Sequence, residues 1–143
     1  MIVRLQDATQ KYDEAVGAVY GLGPAERLCL SLLWSGAKSA STIAREIRLT
    51  PAAVTALVDR LEARNYVRRL ADPNDRRKVL VEAAEATYVV AKDAYLPMAE
   101  AGAASLAKHA EPELRVYAEI LRESLAIQEE MMRKFLARHD KGS

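Results

Sequence analysis

The stretch "LTPAAVTALVDRLEARNYVRRLADPNDRRKVLV", residues 49–81, changes its periodicity half-way along. In the first half Val54, Leu57, Val58 and Leu61 recur at three- and four-residue steps, which predicts a helix with one buried face. Thr50 is placed to cap it, and Pro51 suits the first helical position, where a missing N–H costs nothing. The opposite face carries Ala52, Thr55, Ala56, Asp59 and Arg60. Asn65 follows the last turn, where a left-handed residue commonly ends a helix. Beyond it, "YVRRL" and "KVLVE" are short β-prone runs joined by "ADPNDRR", in which Pro73 and Asn74 supply turn chemistry. The second half therefore predicts a hairpin with an exposed basic tip.

Upstream, Val3, Leu5, Ala8, Tyr12, Ala15, Val16 and Val19 mark an amphipathic first helix, stopped by "GLG" at 21–23. Pro24 opens a second helix whose run "RLCLSLLW" is apolar on nearly every side and is expected to be central and buried. "SGAKSAS" interrupts the pattern; Ser39 or Ser41 can cap a short third helix, "TIAREI", and a turn at "RL" leads into the helix opened by Thr50. From Glu85 on the chain reads as helical, with a bend expected at Pro97 and a fresh start at "AEPE", 110–113. The last helix aligns Leu114, Tyr117, Leu121, Leu125, Gln128, Met132 and Phe135 in one stripe. That is more apolar face than one small domain covers, and pairing with a second copy is the economical way to bury it.

Composition narrows the function. The net charge of +1 points to no polyanion partner by itself. Its distribution does: between Lys38 and Glu82 stand ten basic residues against six acidic, and elsewhere eleven against fourteen. One cysteine, Cys29, excludes an internal disulfide and fits a reducing, cytoplasmic setting. No apolar run approaches the roughly 20 residues of a membrane span. The two histidines, His109 and His139, are far apart in sequence, no Cys/His cluster has metal spacing, and no Gly-rich loop or nucleophile elbow appears. Neither an enzyme nor a cofactor is implied.

Two short helices, a tight turn, a capped second helix and a basic hairpin make a winged helix-turn-helix. The arrangement resembles the MarR family of bacterial transcription regulators over essentially the whole chain, 1–143. Its most specific part is residues 49–81, including the Asp-x-Arg element Asp75-Arg76-Arg77. The fold class implied is mainly α: a winged helix-turn-helix over 24–83, with a small β-hairpin wing and an intertwined helical dimerisation region from 1–21 and 85–139. The resemblance implies a homodimer on a pseudo-palindromic site in double-stranded DNA, acting more as a repressor than an activator. Val3, Leu5, Leu114, Tyr117, Leu121, Leu125, Met132 and Phe135 would lie in the dimer interface. It also implies a pocket for a small aromatic or phenolic effector, to which Tyr12, Tyr20, Trp34 and Met98 are assigned. The sequence departs from the family at 83–87, where "AAEAT" lacks the usual Thr cap before the fifth helix.

The physics of a groove-reading helix selects residues in the same stretch. The amino-terminal turns of such a helix reach the bases, so Ala52, Thr55 and Ala56 are the readout positions, with small side chains allowing close approach. Thr50 and the neighbouring N–H groups suit a phosphate, as do Ser41 and Thr42 at the start of the third helix, and Arg60 reaches the flanking backbone. Arg76 or Arg77 would enter the minor groove, with Asp75 fixing the direction of an arginine. Arg45, Arg48, Arg64, Arg68 and Arg69 divide between phosphate contacts and ion pairs with Glu46, Asp59 or Glu62. Cys29 reads as an inert buried thiol and Trp34 as core packing in preference to ligand stacking. A different class stays open: a winged-helix protein-interaction module that has lost DNA binding.

Overall fold

The computed structural model describes residues 1–139. They fall into two compact units, residues 1–97 and the chain from Met98 onward.

The first unit opens with α1 (Ile2–Tyr20), which ends at Gly21 in the left-handed conformation, φ 63°. After Gly23, Pro24 starts α2 (Pro24–Leu33). Ser39 caps α3 (Ala40–Ile47), its hydroxyl accepting from the Thr42 N–H at 3.2 Å. Thr50 caps α4 (Pro51–Ala63) in the same way, accepting from the Ala53 N–H at 3.2 Å. Between α3 and α4 the chain turns at Arg48, φ 59°, and after α4 at Asn65, φ 60°. The expected hairpin follows: β2 (Val67–Ala71) pairs antiparallel with β3 (Val79–Ala83), from Val67 opposite Ala83 to Ala71 opposite Val79.

The core of this unit is the inward face of each element. Leu22, Cys29, Leu30 and Leu33 meet Ile43, Val54, Leu57, Val58, Leu61, Val67 and Val81. The four α4 residues that set the helical period are all buried, while Ala52, Thr55, Ala56, Asp59 and Arg60 are exposed. The period thus fixes which face of α4 is free.

Four expectations need correcting. "SGAKSAS" is not simply a break: Lys38–Ser39 forms a short strand, β1, opposite Val81 and Leu80 at the far edge of β3, giving the order β1-β3-β2. Helix α2 is not buried all round, since Leu28 is exposed and Trp34, at its end, is 62% exposed and not core packing. The third helix begins at Ala40, two residues before the run that marked it. The irregularity expected at Pro97 lies upstream: α5 (Glu85–Val90) continues into a π turn over Ala91–Tyr95 before α6 (Leu96–Leu106). A proline ring crowds the carbonyl four residues before it, here Asp93, and the widened turn relieves that contact.

The missing Thr cap at α5 is replaced by bonds to the Asn65 and Tyr66 carbonyls, just before β2. Ala84, the N-cap, offers no side-chain bond, but its N–H donates to the Tyr66 carbonyl at 2.8 Å and the Ala86 N–H to the Asn65 carbonyl at 3.0 Å. The buried Thr87 hydroxyl donates to the same Tyr66 carbonyl at 2.6 Å. The hairpin and α5 are therefore joined without the cap.

The second unit carries α7 (Glu111–His139), whose first turn includes Pro112 as expected. None of its residues is buried within the described chain, and Tyr117, Leu121, Leu125, Met132 and Phe135 are exposed.

Arg48 supplies a stability prediction. A side chain in the left-handed region costs roughly 1–2 kcal/mol, and glycine avoids that while losing more chain entropy on folding, roughly 0.5–1 kcal/mol. Arg48→Gly is expected to stabilise the fold by up to about 1 kcal/mol, read as a higher urea midpoint at unchanged slope.

Candidate nucleic-acid interface

The exposed face of α4 begins at a well-made amino terminus. Thr50 Oγ1 is occupied as a cap acceptor, and the Thr55 hydroxyl donates back to the Pro51 carbonyl at 3.1 Å. That bond leaves the Thr55 oxygen as an acceptor, with Ala52 and Ala56 exposed on the same face. At the start of α3, Ser39, Ser41 and Thr42 form one hydroxyl cluster: Ser39 Oγ lies 3.0 Å from both Ser41 Oγ and Thr42 Oγ1. Arg60 is less free than expected, its Nε lying 3.6 Å from Glu26 Oε1 on α2.

The loop between β2 and β3 is built by its own acids. Asp72 Oδ1 accepts from the Asn74 N–H at 2.8 Å, and the Asp72 N–H donates to the Lys78 carbonyl at 3.0 Å. Asp75 Oδ1 accepts from the Arg77 backbone N–H at 3.0 Å, while its carbonyl accepts from the Lys78 N–H at 2.9 Å. Asp75 thus fixes the loop backbone rather than an arginine side chain, because Asp readily bonds the N–H two residues on. The result still aims the tip. Arg76 and Arg77 are exposed there, and no ion pair engages their guanidinium groups among the described residues.

Of the five arginines left to divide, four have partners, while Arg48 is exposed with no ion pair among the described residues. Arg45 pairs with Glu46 at 3.3 Å. Arg68 pairs across the hairpin with Glu82, directly opposite in register. Arg69 holds Asp59 and Glu62. Arg64 donates to the Tyr20 and Gly21 carbonyls at 2.5 and 2.8 Å and lies over the Tyr66 ring. A cation there satisfies the carbonyl end of α1. Sequence spacing alone did not reveal this role, since the partners lie more than forty positions away.

Three of the four residues assigned to an effector pocket have partners within the first unit. The Tyr12 hydroxyl donates to the Ala94 carbonyl at 2.6 Å and the Tyr20 hydroxyl to Asp93 Oδ2 at 2.5 Å, both at the π turn. Tyr95 completes this contact by donating to Asp13 at 2.9 Å, and burial with that bond pushes its hydroxyl up to about 12. The hydrogen bond to Asp93 also raises Tyr20. Trp34 instead lies against Tyr88, ring centroids 6.0 Å apart, and Met98 belongs to the second unit.

Comparison with known proteins gives this geometry its context. The model of the MarR family matches residues 23–79, from the start of α2 to the start of β3. An uncharacterized HTH-type transcriptional regulator of Bacillus subtilis, YcgE, is 30% identical over 132 residues, covering 92% of this chain and 86% of that protein. The chain belongs to the MarR family. As a MarR-family transcription regulator it shares its fold with a mutant MepR from a multidrug resistant S. aureus clinical isolate, at a TM-score of 0.69 and 15% identity over 89% of this chain and 94% of that one. A second MepR mutant, bound to an oligodeoxyribonucleotide, aligns at a TM-score of 0.57 and 16% identity over 88% and 93% of the two chains. No described helix of this MarR-family chain is long and apolar enough to cross a membrane.

Cys29 gives a second prediction. It is fully buried, and desolvation pushes its thiol up to about 11. The folded protein therefore favours the neutral thiol. Its contribution to stability is complete below the unfolded value near 9 and is lost as pH rises through about 11. Alkylation by iodoacetamide at pH 8 is expected to be slow in the native protein and fast after unfolding; equal rates would contradict it.

Proposed function

We propose that this MarR-family regulator binds double-stranded DNA sequence-specifically as a homodimer and represses transcription from a pseudo-palindromic operator. The observation that carries the reading is the sorting of arginines: Arg60, Arg64, Arg68 and Arg69, on α4 and the hairpin strands, are engaged by acids or carbonyls, while Arg76 and Arg77 at the loop tip have no ion pair among the described residues. Exposed charge with no internal partner, on a loop whose backbone is fixed by Asp72 and Asp75, is well made for a minor groove. The face of α4 supplies the major-groove element, with Thr55, Ala52 and Ala56 at the bases. Thr50, Ser41 and Thr42 bind phosphates, and Arg60 does so by exchanging Glu26 for the backbone. The MepR mutant solved with an oligodeoxyribonucleotide supports DNA as the partner.

Residues 1–21 and 85–139 form the dimerisation region. Support comes from apolar side chains left in water on α1 and α7: Val3 and Leu5, and Tyr117, Leu121, Leu125, Met132 and Phe135. Two such protomers would present recognition helices about 34 Å apart to successive major grooves. Relief of repression by a small aromatic or phenolic effector belongs to the same reading, and the exposed Trp34 beside Tyr88 offers it a stacking surface.

Salt dependence tests the proposal. Operator affinity is expected to fall linearly on a log–log plot, with a slope of about −0.9 per neutralised phosphate. A flat response would favour a winged-helix module that contacts proteins instead.

A further inference from the structure

The densest ionic cluster on the exposed side of α4 is not at the wing tip but at its root. Arg69 lies in the middle of β2, opposite Val81, on an edge strand of the sheet. Its guanidinium donates to Asp59 Oδ1 at 2.6 Å and, through a second nitrogen, to Glu62 Oε2. Its backbone N–H donates to the other Glu62 oxygen at 3.0 Å. Three bonds from one residue therefore cross from the hairpin to α4. Asp59 stands one helical turn beyond Thr55, on the face that meets DNA in the proposed reading.

Charge decides between two roles for this arginine. Two carboxylates surround one guanidinium, so the cluster is net negative and has no spare positive charge for a phosphate. Leaving to bind a phosphate would also expose both acids to the DNA backbone. A guanidinium's planar fork can satisfy two carboxylates at once, which a lysine's point charge does poorly. The side chain is about one-third exposed, so the cluster contributes little to folding stability. What it does contribute is a fixed angle between hairpin and helix.

We propose that Arg69 is a positioning residue: through Asp59 and Glu62 it locks the wing root to the recognition helix and so sets where Arg76 and Arg77 fall, without touching DNA itself. This rests on the DNA-binding reading above. The wing tip and α4 would have to enter different grooves of one duplex, and only a stiff connection keeps their separation constant.

The test uses full-length protein and the DNA fragment most enriched from sheared genomic DNA. Arg69→Ala and Arg77→Ala are each expected to lower affinity on the order of tenfold, and the double variant little more than either alone, because displacing the wing already forfeits the Arg77 contact. Arg69→Lys keeps the charge but not the fork, and is expected to behave like Arg69→Ala. Multiplicative losses, or full affinity in Arg69→Lys, would identify a direct phosphate contact and overturn the proposal. Amide exchange of residues 67–71 without DNA separates this from failure of the DNA reading. Exchange should quicken in Arg69→Ala and not in Arg77→Ala; unchanged exchange in Arg69→Ala would overturn the lock even if DNA binding holds. If the wild type retains no DNA while exchange responds as expected, the DNA reading falls and the lock remains a feature of the fold.

Discussion

Arg76→Ala combined with Arg77→Ala is expected to weaken operator binding about a hundredfold, from two charge-assisted contacts at roughly 1.5 kcal/mol each and 1.4 kcal/mol per factor of ten. The fold should not notice. Both side chains are exposed and unpaired among the described residues, and the loop bonds around them are made by Asp72, Asp75 and backbone groups that the double variant keeps. The salt slope should drop by up to about 1.8, from two phosphates no longer neutralised. Binding curves at several salt concentrations, beside a thermal melt, read all three quantities. Unchanged affinity with an unchanged melt would remove the wing from the interface.

Leu125→Asp is expected to convert the proposed homodimer to a monomer at micromolar concentration, with Leu121→Asp behaving alike. Both leucines lie exposed in the α7 stripe, four residues apart and on one face. Burying an unpaired carboxylate in an apolar seam costs several kcal/mol, enough to shift dissociation by orders of magnitude. Since neither side chain is buried within the chain, the variant protomer should retain its helices. Sedimentation equilibrium gives the mass directly. A wild type already monomeric, or a variant still dimeric, would contradict the assigned seam. Loss of DNA affinity should accompany the monomer, because two half-sites are then bound independently.

Sequence legibility followed the range of the interactions. The α4 period, the Thr50 cap, Pro51, the left-handed Asn65 and the hairpin are local signals, and each stands where the spacing placed it. The MarR resemblance added what no local signal carries: that these elements belong to one regulator fold, which the matched residues 23–79 and the YcgE likeness support. Strand β1 was hidden because two residues carry no period, and their strand character comes only from pairing with Val81 and Leu80. The π turn was hidden for a related reason, as helical spacing is nearly the same on both sides of one widened turn.

Side-chain partners were the least legible. Arg45, Arg48, Arg64, Arg68 and Arg69 look alike in sequence, yet Arg64 reaches the end of α1, Arg68 crosses to Glu82, and Arg69 turns onto α4. Alternation along a strand separates Arg68 from Arg69 by face, but not which acid waits there. Asp75 and Trp34 show the same limit. One was expected to hold an arginine and holds the loop backbone; the other was expected in the core and ends α2 in water beside Tyr88.

The most direct measurement is selection from genomic DNA: purified protein is incubated with sheared DNA from its source at moderate salt, and the retained fragments are sequenced. Enrichment of one short inverted repeat, its half-sites about one helical turn apart, is the expected result for a dimeric MarR-family repressor. No retention at any salt concentration would contradict it.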